Sequence, residues 1–347
     1  MGLMKPALVL ILYLFVPNTE ASPLFEESSD QPLVVEIQTN LYKIKNSKSD
    51  FHTSTNNYIN GRFKFKYGTF DIKLQTRGHD RLAKCSFPPL KIYFDKSGVK
   101  KSPLKHNHEL KLVTHCQDDR LNFLFREHLI YKIYNLITPY SFHVRLLKIK
   151  YIDIDRNEDT IESYAFLIES CKSVEKRLNL DELKSDDDFN LKSYKDISEN
   201  WLNVSQTKLQ EAFQHLIRNN DQVIFYTETT RTFSLANIKF FHNKDEGFPI
   251  PYDFDLAGVV TWDSDSFEYR FGNENVCESV EFKEAVTKLL NLKSEYLQLI
   301  DEDSFLSLSY KSKLIDYLIQ FRSVADFCLG MEGAQTELLG KLVLDRF

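Results

Sequence analysis

Asn237, Asp253 and Asp255 are the residues whose types and spacing could do chemistry in this chain. Asn237–His242 has a strand pattern, Asn243–Gly247 is turn chemistry, and Phe248–Asp253 reads as the return strand. A turn centred on Asp245 sets Phe240 opposite Ile250 and Asn237 opposite Asp253, and cross-strand partners lie ~5 Å apart. An amide oxygen and a carboxylate then converge at the open end of a hairpin, with Asp255 two residues on to join them. Three hard oxygen donors at one point suit magnesium or calcium, with substrate phosphates completing the shell. On residue types alone the plainer alternative, that Asp253 and Asp255 only cap or turn the chain, is the stronger.

The surrounding elements must hold that hairpin. Gln31–Leu41 starts as an extended run, and Phe63–Gln75 alternates as one half-buried strand should. Ser86–Asp95 and Leu110–Thr114 are two more strands around a polar turn. Leu121–Leu136 carries Leu121, Leu124, Phe125, Leu129 and Ile133 on a helical face. Strands Arg145–Asp153 and Ser163–Glu169 follow. The acidic stretch Leu183–Lys195 reads as a solvated loop, and Thr207–Asn219 as an amphipathic helix capped by Ser205 and stapled by Val204. From Ser279 onward helices dominate. The pattern predicts an α+β chain, a mixed N-terminal part with one helix and then a mainly helical part with an inserted hairpin.

Several short motifs recur in one order. They are Arg77-Gly78, Lys84–Ile92, Leu110–Cys116, Phe125–Tyr131, Tyr164–Glu169 and Pro251-Tyr252-Asp253-Phe254-Asp255. In that order they resemble the spore-coat protein H (CotH) kinase family, over about residues 75–260. The resemblance implies a two-lobed, atypical protein-kinase-like fold and phosphoryl transfer from ATP, with Mg or Mn, to a protein or small-molecule acceptor. Kinase-like folds place a metal-binding Asn and Asp on a hairpin, which implies Asn237 and Asp253 as metal ligands and Asp255 as an auxiliary one. Lys84 takes the phosphate-contacting role, with Lys91 or Lys111 as substitutes, and Glu127 would hold that lysine. Arg77 joins the nucleotide site, and Glu169 either lines it or ends its strand. Where relatives carry an Asp nine residues before the Asn, and often a His directly before it, this chain has Glu228 and Ala236. Glu228 is thus the candidate base, and the alternative is an inactive, kinase-like exported binding protein.

Other chemistries lack their motifs. Asp253–Val259 superficially matches the nucleophile motif of haloacid-dehalogenase-like phosphatases, but Pro249 and Pro251 remove ladder donors from the strand that motif needs. No GxSxG, GxGxxG or GxxxxGK[ST] occurs. A net charge of −6 gives no global reason to bind nucleic acid.

Lys5, the apolar run Ala7–Val16 and Thr19-Glu20-Ala21 have the layout of a signal peptide cut after Ala21. The expected organisation is a leader over 1–21, a β-rich part over 22–172 and a helical part over 173–347. The mature chain, without a transmembrane segment, is expected to be exported to a periplasmic or extracellular space, where disulfides are permitted. A hairpin centred between Lys100 and Lys101 puts Leu90 opposite Lys111 and Cys85 opposite Cys116, the expected bond. The alternatives are a bond from either residue to Cys277, or two buried thiols.

Overall fold

The computed structural model describes residues 23–26, 31–46, 58–78, 81, 84–117, 120–156, 160–183, 192–195, 201–219, 224–227, 232–235, 237–262, 277 and 279–330. Of residues 26, 192–195, 224–227, 232–235, 322–324 and 326–328 it describes the backbone alone.

Seven strands form a closed barrel in the order β1-β2-β3-β4-β5-β7-β6. They are β1 (Leu33–Thr39), β2 (Ile59–Phe65), β3 (Gly68–Thr76), β4 (Leu90–Phe94), β5 (Glu109–Val113), β6 (Val144–Asp153) and β7 (Thr160–Ile168). Alternation drives closure. Ile37, Phe63, Leu74, Ile92, Leu110, Leu112, Leu147 and Leu167 point inward and are fully buried, and a closed ring leaves no strand edge exposed. β1 seals it, pairing antiparallel with β2 and parallel with β6.

This closed barrel corrects the two-lobed, kinase-like fold expected from the resemblance. Local alternation marks each strand, but the parallel pairing of β1 with β6 joins residues 114 positions apart, such as Leu33 and Leu147, and has no local signal. Phe63–Gln75 is also two strands rather than one, because Lys66-Tyr67 turns the chain and Phe65 pairs with Gly68.

Outward residues of β5, β6 and β7, such as Val113, Leu146, Phe166 and Ile168, pack on a second core with the helices. At its centre lies α3 (Leu121–Ile137), which follows the short α1 (Pro23–Glu26) and α2 (Leu41–Asn46). Around it are α4 (Cys171–Leu178), α5 (Val204–Ile217), α6 (Gly258–Thr261), α7 (Val280–Asn291), α8 (Lys293–Glu302) and α9 (Leu308–Cys328), nine helices among the described residues. α5 starts earlier than expected. Its cap is Asn203, whose side chain accepts from Gln206 N–H, so Ser205 is already helical and Val204 stays exposed.

A short strand β8 (Asp181–Glu182) precedes β9 (Lys192–Lys195), β10 (Ile224–Thr227) and β11 (Thr232–Leu235), which form a small sheet of their own. The hairpin is β12 (Ile238–His242) and β13 (Gly247–Pro251), with β8 alongside β12. The Asn243 side chain accepts from the N–H groups of Asp245 and Glu246, which makes a four-residue loop. The register is therefore one residue off the expected one: Phe240 faces Pro249, and Lys239 faces Ile250. Gly247 is required where it stands, because a Cβ there would lie 2.3 Å from the Trp201 ring.

Candidate functional site

The hairpin delivers its polar end to the outer face of β5 and to α3. Tyr252 N–H donates to Asn237 O at 3.0 Å, so Asn237 lies against Tyr252 rather than Asp253. Both Asn237 and Asp253 have left-handed backbones, φ 52° and 65°, conformations that cost a residue with a Cβ on the order of 1 kcal/mol. Phe254 is fully buried on Tyr131, Phe213 and Tyr134. Its flanking carboxylates, Asp253 and Asp255, stay half-buried in the cleft.

α3 supplies the opposite wall. Glu127 and Tyr131 are one helical turn apart and share a face. Tyr131 Oη accepts the backbone N–H of Asp253 at 2.7 Å. Glu127, 2% exposed, accepts from Arg81 Nη2 at 2.8 Å. Arg81 Nε donates to Asp255 at 2.7 Å, and Asp253 lies 4.0 Å from the same guanidinium. Burial opposes the charge on Arg81, but Glu127, Asp255 and Asp253 overcome it and hold its pKa above the usual value. One cation against three carboxylates leaves excess negative charge. Burial, reinforced by the two aspartates, pushes Glu127 up to about 7, and Asp255 rises through burial and the nearby Asp253.

β5 supplies the other charge. Leu110 and Leu112 point into the barrel, so Lys111 points out toward the hairpin. Its ammonium lies 4.1 Å from the Tyr252 ring centroid. Burial, then the like charge of Arg77, pulls its pKa down to about 7, while Asp253 and Cys171 act the other way. Arg77 directly follows β3 and is half-buried. Among the described residues neither Lys111 nor Arg77 forms an ion pair with a carboxylate. Lys239, by contrast, pairs with Glu182 at 2.8 Å.

The residues singled out from the sequence distribute unevenly. Asn237, Asp253, Asp255, Arg77 and Glu127 gather here, and Lys111 joins them on the Tyr252 side. Lys84 is exposed at the rim of a cavity of about 210 Å³ that Arg81, Glu127 and Asp255 also line, so it borders the carboxylate cluster rather than Lys111. Lys91 pairs with Glu109 on the barrel exterior at 2.5 Å. Glu169 directly follows β7, in a buried pair with Arg177, and also accepts from Ser173 and His143. Glu228 lies outside the described residues.

Arg81 has no signal in the sequence. It belongs to none of the motifs above, and only the fold brings it to Asp255, 174 positions along the chain. The disulfide Cys85–Cys116 fastens the turn that carries it, since Cys85 N–H donates to Arg81 O at 2.8 Å. That bond joins the expected residues in a different register: Leu90 faces Leu112, and Cys116 bridges to Phe87. Cys277 is disulfide-bonded elsewhere, and Cys171 is a free thiol.

A divalent ion fits this donor set in part. Among the described residues no three His, Cys, Asp or Glu side chains are gathered so as to hold a metal unaided. Glu127 Oε1 is nevertheless buried without a hydrogen-bond partner, beside two half-exposed aspartates. No helix among the described residues is long and apolar enough to cross a membrane. Compared with models of known protein families the chain matches none, and it matches no curated protein.

Proposed function

We propose that the cleft between β5 and the hairpin binds the phosphates of a nucleotide such as ATP with Mg or Mn. It would pass the terminal phosphoryl group to an acceptor hydroxyl on a protein or small molecule in an exported setting. The observation that carries this reading is the juxtaposition of Lys111 and Arg77, two cations without carboxylate partners among the described residues, with Asp253 nearby. Cations left unpaired in a half-buried cleft are costly unless an anion completes them. A polyphosphate supplies that anion.

Lys111 and Arg77 would hold the phosphate oxygens and spread the charge that develops on them during transfer. Tyr252, whose ring lies against the lysine, restricts the ammonium to the cleft side. Asn237, Asp253 and Asp255 would hold the divalent ion, which neutralises phosphate charge when bound. Tyr131 and the buried Phe254 keep Asp253 aimed. The bond formed is from the acceptor oxygen to phosphorus, the bond broken is to the nucleoside diphosphate, and the acceptor proton goes to a base.

Titration of ATP into the full chain, with and without Mg, tests the binding step. The expected result is Mg-assisted binding that weakens at least tenfold in Lys111→Met. Equal binding by wild type and variant would overturn the reading. Incubation with γ-labelled ATP and Mn then separates a kinase from the alternative, a protein that binds nucleotide without turnover.

A further inference from the structure

We propose that Arg81 is an exchangeable counter-ion, holding the place at which Glu127, Asp253 and Asp255 bind a divalent cation when its guanidinium swings away. This rests on the reading of the cleft as metal-assisted, and it adds a ligand and a competitor that the hairpin alone does not supply.

The geometry of the cluster is that of carboxylates around one positive centre. Arg81 gives Nε to Asp255 at 2.7 Å and Nη2 to Glu127 at 2.8 Å, with Asp253 at 4.0 Å from Nη2. A guanidinium is wide and planar. It spaces its partners too far apart for a magnesium-sized ion, which needs oxygens at ~2.1 Å. That spacing accounts for the lack of a ready three-ligand set among the described residues.

Two observations say that the guanidinium leaves the cluster incomplete. With the three carboxylates ionised, one guanidinium leaves a charge of −2, and a divalent ion in its place would lower that to −1. Among the described residues Glu127 Oε1 is also without a hydrogen-bond partner, in a side chain only 2% exposed. Buried polar atoms of this kind are rare in native proteins and mark places where an ion or water completes the structure. The entry route is open on one side, since the Asp253 and Asp255 side chains are 35% and 25% exposed. Arg81 itself is 20% exposed, and the cavity of about 210 Å³ beside it gives the side chain room to turn.

The test uses Mn²⁺ alone, without nucleotide, on the full chain. Arg81→Met should bind Mn²⁺ at least tenfold more tightly than wild type, and adding Glu127→Gln should remove at least tenfold of that affinity. Arg81→Met binding Mn²⁺ no better than wild type would overturn the exchange. An unaffected double variant would overturn Glu127 as a ligand. Should Arg81→Met fail to fold, the wild type still decides, through the arginine Nε–H resonance assigned by its absence in Arg81→Lys. Saturating Mg²⁺ should shift that signal as the bond to Asp255 breaks, and an unmoved signal refutes the proposal. Failure here leaves phosphate binding by Lys111 standing, because no step of this test involves nucleotide.

Discussion

The phenol oxygen of Tyr131 accepts the backbone N–H of Asp253 at 2.7 Å, joining the middle of α3 to the residue just past the end of β13. One turn earlier on the same helix, Glu127 accepts from Arg81. α3 therefore controls both the backbone of Asp253 and the cation that faces its side chain. Burial holds the phenol neutral, raising its pKa well above the usual value, with Glu127 and Asp253 acting the same way. It stays an O–H group across the physiological range.

Replacing Tyr131 with Phe should leave the Asp253 N–H unpaired at a part-buried position. The expected cost is about 1–2 kcal/mol, read as a lower urea midpoint at unchanged slope. Metal-assisted nucleotide binding should weaken as well, because the left-handed Asp253 loses its tether. An unchanged midpoint would show that the hydrogen bond carries no stability.

Lys111 makes stability and binding depend on pH in opposite senses. Its pKa is about 7 in the fold against 10.5 in an unfolded chain, chiefly through burial. Between those values the unfolded state holds more protons, so this group's contribution to stability rises with pH from about 7 to 10.5 and is lost as pH falls to about 7. Lys111→Met should be the more stable protein near pH 6, by on the order of 2 kcal/mol after solvent screening. The gap should close above pH 10. Phosphate binding needs the protonated ammonium, so affinity should fall as pH rises past 7. Calorimetry at pH 8 in buffers of different ionisation enthalpy should register proton uptake, and none would contradict the assignment.

How much of this was legible follows from the range over which each signal acts. The Asp253-Phe254-Asp255 element, α3 and most strands show in local periodicity, because side-chain alternation and helical faces are properties of ten-residue windows. The hairpin register was missed by one residue, since the Asn243 side chain shortens the loop in a way that turn composition does not specify. The choice of Lys111 over Lys84 depends on which side of β5 faces the hairpin, and that is fixed by barrel closure. Arg81 was missed outright for the same reason: its partners are 46 and 174 positions away.

The disulfide between Cys85 and Cys116 should support the site as well as the barrel. It closes a separation of 31 residues, worth about 3–4 kcal/mol in the chain-entropy account. Cys85→Ser with Cys116→Ser should lower thermal stability accordingly. It should also loosen the turn carrying Arg81, seen as faster exchange of the backbone amide at position 85, which in the wild type donates to Arg81 O at 2.8 Å. Unchanged exchange with lowered stability would separate the two effects and confine the bond to the barrel.

Asp253 separates function from stability most sharply. Its φ of 65° lies in the left-handed region, which glycine enters without the steric cost that a Cβ imposes. Asp253→Gly removes that strain, and it also removes one of three carboxylates crowded around Arg81. Against these gains stands the extra backbone entropy of glycine in the unfolded chain, about 0.5–1 kcal/mol. The net expectation is a protein at least as stable as wild type that no longer binds nucleotide in a metal-assisted way. Asp253→Ala should lose binding equally while keeping the strain, and so should be less stable than the glycine variant by about 1 kcal/mol. Thermal unfolding of the three proteins, run beside Mg-dependent ATP titration, measures both quantities. A glycine variant less stable than the alanine variant would mean that the left-handed backbone at 253 is not strained, and binding retained in either would remove Asp253 from the site.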